Sequence, residues 1–169
     1  MASMAATRPG VQERILLHLR DYVDYADKVE VPFAISQMGI ANAVSIARSN
    51  VPRAISGMKE SGHLIERQAH VTGVSRKRKA YFLTSEGVSL ADSIWDKASE
   101  QPVRLIHPDG RAENLDLRSA LESTELPLRH VDILRYLDDS GTLDLSTLSP
   151  VSYTHLRAHE TEAELVCRL

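Results

Sequence analysis

Ile46-Ala47-Arg48-Ser49-Asn50-Val51-Pro52-Arg53-Ala54-Ile55-Ser56-Gly57-Met58 is the stretch on which the fold turns. Val51, Ala54, Ile55 and Met58 have the i, i+3, i+4, i+7 spacing of a half-buried helix, which leaves Arg48, Asn50 and Arg53 on its open side. Pro52 has no N–H and fits the first turn, where amides lack intrahelical partners, so Ser49 is the expected N-cap. Upstream, Ser36 is placed to cap another helix, with Ile35 stapled to Ile40 and with Ala41 and Val44 completing its inner face. Two short helices meeting at Ser45 predict a helix-turn-helix whose second helix presents its N-terminal turns outward.

Downstream, residues 64–71 and 80–84 read as two strands joined by the basic run Thr72-Gly73-Val74-Ser75-Arg76-Lys77-Arg78-Lys79. From Ser45 to Ala80 the bases are Arg48, Arg53, Lys59, Arg67, Arg76, Lys77, Arg78 and Lys79, opposed only by Glu60 and Glu66. The local net charge is +6 in a chain whose total is −3, a reversal of sign expected of a duplex-facing surface.

Residues 36–84, continuing into Ser85-Glu86-Gly87-Val88-Ser89-Leu90-Ala91, resemble the winged helix-turn-helix of MarR-type and related archaeal regulators. The run from Ile40 to Arg53 and the join Tyr81-Phe82-Leu83-Thr84-Ser85-Glu86-Gly87 carry the resemblance. Ser45 stands where this turn often has glycine. The implied fold is α+β, mainly α: a three-helix core, a two-stranded wing, a following helix and a small C-terminal extension. The implied function is sequence-specific double-stranded DNA binding in transcriptional regulation, by a homodimer on a pseudo-palindromic site. Arg53 and Asn50 have the chemistry to read guanine and adenine edges, whereas Arg48 and Ser49 suit phosphate. Arg76, Lys77, Arg78 and Lys79 would neutralise the backbone or enter the minor groove. The rival reading is an N-terminal winged-helix adaptor of a larger archaeal ATPase or repeat-type signalling protein, mediating protein interaction.

The 169 residues are 43% hydrophobic and 25% charged, an ordinary globular composition. No run approaches the length of a membrane span and the first ten residues lack a signal-peptide core, so a cytoplasmic location is expected. No glycine-rich phosphate loop, nucleophile elbow or His-Glu-x-x-His motif is present, and neither an enzyme nor a cofactor is expected. Asp138-Asp139 reads as an exposed helix end. His18, His63, His70, His107 and His130 are scattered and read as surface or interface histidines. Met58 and Trp95 read as core positions.

Taken in order, residues 1–10 form a flexible N-terminus and 11–99 the winged-helix domain. Thr7 is the expected cap of the first helix, with Pro9 in its first turn and Val11, Ile15, Leu16, Leu19 and Tyr22 as its apolar stripe. A linker at 21–30 and a short strand at 31–34 follow. After the wing, a helix to about Ala98 carries Val88, Ala91, Ile94, Trp95 and Ala98 on one side. Residues 100–150 read as an accessory hairpin-helix segment turning at Pro108-Asp109-Gly110, with short helices at 117–121 and 128–137, leaning on the helix around Trp95 and cut short. Between Ser85 and Pro150 thirteen acids face six bases, a balance unsuited to duplex binding.

Residues 151–161 resemble a reading frame of a transposase-type sequencing adapter and 165–169 its distal end. On that resemblance 151–169 is a non-native tail, the natural protein continues past Pro150, and His155, His159 and Cys167 are no metal site.

Overall fold

The computed structural model describes residues 9–123 and 141–146. Thr7, the expected helix at 128–137 and the 151–169 tail lie outside them. Helix α1 (Val11–Arg20) begins later than expected, with Gly10 as N-cap. The Glu13 carboxylate accepts from the Gly10 N–H at 2.8 Å, half of a capping box, and Pro9 precedes the helix instead of opening it. Beyond a 3-10 turn at Val23–Tyr25, the expected strand at 31–34 is only β1 (Glu30–Val31). Pro32 has no N–H to extend a ladder, and Phe33–Ile35 closes into a second 3-10 turn.

Helix α2 (Gln37–Val44) is capped by Ser36, whose hydroxyl accepts from the Gly39 N–H at 3.2 Å. It ends at Ser45, the one non-glycine residue with positive φ among those described, at φ 56 and ψ 51. The Ile46 N–H returns to the Ala41 carbonyl at 3.0 Å, so the turn keeps a left-handed closure that glycine usually provides. Ser45→Gly is expected to raise stability by about 0.5–1 kcal/mol by relieving the Cβ of that conformation. The check is an upward shift of the urea midpoint at constant m; an unchanged or lower midpoint would show that the serine is unstrained.

Helix α3 (Val51–Glu60) buries Val51, Ile55 and Met58 and partly buries Ala54. Its start differs from expectation. Arg48–Asn50 form a 3-10 turn and Asn50, not Ser49, is the N-cap, with Pro52 in the second helical position. The Asn50 N–H bonds to the Ala47 carbonyl at 2.9 Å, so a backbone turn precedes the helix and no side-chain cap forms.

Strands β2 (Leu64–Val71) and β3 (Arg78–Leu83) are antiparallel, and β1 joins β2 in parallel, giving the order β1-β2-β3. Because β3 begins at Arg78, Arg78 and Lys79 are strand residues paired with Ala69 and Gln68, and the connection narrows to residues 72–77. Helix α4 (Ser85–Ser99) takes Thr84 as its cap, whose hydroxyl accepts from the Gly87 N–H at 3.1 Å. Together these elements form a winged helix-turn-helix within an α+β chain. Its core runs from Ile15 through Ile40, Ile55 and Leu64 to Ala91.

A second sheet follows. β4 (Pro102–Ile106) and β5 (Ala112–Asp116) form the expected hairpin, with Gly110 at φ 86 and its N–H bonded to the His107 carbonyl at 2.9 Å. Helix α5 (Leu117–Glu122) is capped by Asp116, whose carboxylate accepts from the Ser119 N–H at 2.9 Å and hydroxyl at 2.7 Å; these bonds hold the Asp116 carboxyl below its ordinary range. β6 (Thr142–Asp144) adds to β4 in parallel. Val103, Leu105, Leu117, Ala120 and Leu143 form a second buried cluster with Leu17 of α1, and Ile94 and Trp95 of α4 pack against it. α1 is therefore shared: Ile15, Leu16 and Leu19 face the first core and Leu17 the second.

His18, expected near the surface, is 1% exposed. Its Nε2 donates to the Ala34 carbonyl at 2.9 Å and its ring lies 5.2 Å from that of Tyr22. The histidine thus ties α1 to the turn that leads into α2.

Candidate nucleic-acid interface

The helix-turn-helix is braced from behind by α1. Arg14 donates to the Val44 carbonyl at 3.1 Å, satisfying an acceptor at the end of α2. Gln12 donates to the Ala54 carbonyl at 3.2 Å, and Gln37 to the Arg48 carbonyl at 3.1 Å, joining α2 to the turn ahead of α3. These contacts leave Arg48, Ser49, Asn50 and Arg53 exposed. Arg53 lies two residues from both Val51 and Ile55, on the side of the helix opposite the buried face.

The wing supplies the other half. Arg76, Lys77 and Arg78 are exposed at and beside its tip, and Val74 turns inward against the core. No hydrogen bond or ion pair among the described residues engages the side chains of Arg48, Arg53, Arg76, Lys77 or Arg78. Five cations are thus left to solvent on α3's leading turns and on the wing.

The remaining bases of this region have intramolecular work. Arg67 donates to the carbonyls of Tyr25, Ala26 and Lys28 at 3.3, 2.6 and 2.9 Å. Its guanidinium also sits 4.3 Å from the centre of the Phe82 ring. It clamps the 21–28 loop to the wing strands and is unavailable to a ligand. Lys79, on the face of β3 opposite to Arg78, reaches Glu66 at 3.0 Å, and Lys59 from the last turn of α3 reaches the same carboxylate at 3.2 Å. The Lys79 hydrogen bond, aided by Lys59 and opposed by burial, holds the Glu66 carboxyl below its usual range. Burial, then the neighbouring Glu66 charge, pushes the Tyr81 phenol up.

The structure therefore separates the eight bases that the sequence grouped together. The roles of Arg67 and Glu66 escape sequence reading because their partners belong to other elements; one of only two acids among eight bases was the available signal. Beside the second sheet the sign reverses: an open depression of about 590 Å³ is lined by Asp96, Ser99 and Glu100 at the end of α4, Asp116 at the end of β5 and Arg118 of α5. Among the described residues no group of three or more His, Cys, Asp or Glu is placed to hold a metal ion, and no helix is long and apolar enough to cross a membrane.

No protein-family model matches the sequence, and no curated protein matches it. Solved structures do. A Staphylococcus aureus MepR–DNA complex is 18% identical over 53% of this chain and 65% of that one, with a TM-score of 0.41. ZitR of Lactococcus lactis, a zinc-responsive MarR family member, is 19% identical over 58% and 61%, with a TM-score of 0.39. MepR as a transcription regulator of the multidrug efflux pump MepA is 13% identical over 94% and 78%, with a TM-score of 0.42. The chain spans less than two thirds of the length of the DNA-complexed MepR chain and of ZitR.

Proposed function

We propose that this chain is a sequence-specific double-stranded DNA-binding protein acting in transcriptional regulation. The observation that carries the reading is the set of five exposed cations without partners among the described residues, divided between the leading turns of α3 and the wing, in a region whose other bases are already engaged. In this reading α3 enters the major groove. Arg53 and Asn50 meet base edges, Arg48 and Ser49 meet phosphates beside them, and Arg76, Lys77 and Arg78 lie on the backbone or in the minor groove. Lys79 belongs to this surface by position, but its ammonium group is held by Glu66.

The test compares a selected site with random duplex. Arg53→Ala should cost about 1–3 kcal/mol on the preferred site and much less on random DNA, because a base-reading guanidinium contributes to discrimination. An equal loss on both would make Arg53 a phosphate ligand. If the parent protein binds no duplex even at low salt, the DNA reading fails. A pseudo-palindromic preferred site together with a dimer in light scattering would support the homodimer.

The adaptor reading has one observation in its favour. Val29 and Ile65 are 75% and 52% exposed, on the strands and loop that Arg67 joins, and such apolar exposure suits a protein partner. Loss of duplex binding in the parent would leave that reading standing.

A further inference from the structure

We infer that Glu66 is a built-in competitor of DNA, a carboxylate that keeps the ammonium groups of Lys59 and Lys79 off the phosphate backbone. The inference rests on the DNA-binding reading above and adds to it a residue that limits sequence-independent affinity.

The geometry is specific. Glu66 pairs across the wing with Tyr81, and the next pair on the same face is Gln68 with Lys79, so Lys79 is its diagonal neighbour and spans the gap at 3.0 Å. Lys59 arrives from a different element, the C-terminal turn of α3, at 3.2 Å. The Glu66 side chain is 22% exposed, while Lys59 and Lys79 are 43% and 55% exposed. The carboxylate is seated between helix and sheet, and the two cations hang over it.

Each exposed pair is worth only about 0.2–1 kcal/mol, so stability alone gives the arrangement little value. Its effect on DNA is larger for two reasons. A lysine that leaves for a phosphate gives up its pair, and it uncovers a fixed negative charge at the edge of a polyanion. Both penalties fall on every duplex alike, because backbone contacts carry no sequence information. Glu66 therefore weakens binding to random DNA, where phosphate contacts supply nearly all of the affinity.

The experiment measures affinity for a random-sequence duplex by fluorescence anisotropy across about 50–200 mM salt, for the full chain and for Glu66→Gln, Lys59→Ala and their combination. Glu66→Gln should bind more tightly and steepen the dependence of log K on log salt by about 0.9 for each lysine released, up to about 1.8. Over that salt range its affinity should then fall by an extra factor of about 3 to 12. Lys59→Ala alone should leave the parental slope unchanged, and the double variant should fall back by about 0.9 from Glu66→Gln.

A Glu66→Gln protein with native melting and the parental slope overturns the inference. So does a flatter slope in Lys59→Ala, which would place Lys59 on phosphate already. Should Glu66→Gln melt early, the Lys59→Ala arm in the otherwise unaltered chain decides. A parent that binds no duplex removes the DNA-binding reading itself, an outcome distinct from a parent that binds and a Glu66→Gln variant that behaves like it.

Discussion

Gly87→Ala is expected to destabilise the fold by about 3 kcal/mol, at the upper end for adding one carbon to a filled site. A Cβ on Gly87 would lie 1.9 Å from the His63 carbonyl oxygen and 2.9 Å from its carbon. That carbonyl cannot swing aside freely, because it accepts the Thr84 N–H at 3.0 Å. Thr84 in turn donates its hydroxyl to the Gly62 carbonyl at 2.6 Å and accepts the Gly87 N–H at 3.1 Å. One methyl group therefore disturbs the strap joining the end of α3 to the start of α4. Chemical denaturation reads the loss directly; a cost under about 1 kcal/mol would mean that the strap yields, as volume-tolerant sites do. Gly39 is in the same position at the start of α2, where a Cβ would meet the Phe33 carbonyl oxygen at 2.1 Å.

The second large effect concerns the wing. Replacing Arg76, Lys77 and Arg78 together by alanine should flatten the dependence of log K on log salt by about 0.9 per lost phosphate contact, or about 2.7 for all three. Between about 50 and 200 mM salt the variant's affinity would then change about forty-fold less than the parent's. Preferred and random duplexes should lose affinity by similar factors. Stability should stay within about 0.5 kcal/mol, since these exposed side chains have no partners to lose among the described residues. Salt titration of binding and a urea melt of the same preparation check both statements. An unaltered slope would take the wing off the DNA.

Much of the fold was legible because its signals are local. The apolar spacing of Val51, Ile55 and Met58 announced α3, Ser36 announced α2, and Pro108-Asp109-Gly110 announced the hairpin. The boundary errors have local causes too. Ser49 and Asn50 are both competent caps, and only the bond from Asn50 to Ala47 decides between them. Arg78 and Lys79 read as loop because charge resembles a tip, yet they pair in the ladder.

What escaped depends on distance along the chain. The parallel pairing of β6 with β4 has no signature in Thr142-Leu143-Asp144, and Leu17 fell outside a helical stripe drawn for a single core. In the candidate interface, the identity and exposure of the basic residues could be read from the sequence. The engagement of Arg67 by three carbonyls and of two lysines by Glu66 could not, because those partners belong to separate elements.

The shared position of α1 sets an order of events during synthesis. Ile15, Leu16 and Leu19 find their last core partner when Ala91 emerges, but Leu17 is buried by side chains that extend to Leu143. At about 5–20 residues per second, that flank of α1 stays wet for roughly 3 to 10 s after the winged unit can close. For those seconds the nascent chain shows a chaperone, or a neighbouring nascent chain, an apolar strip that the finished molecule hides.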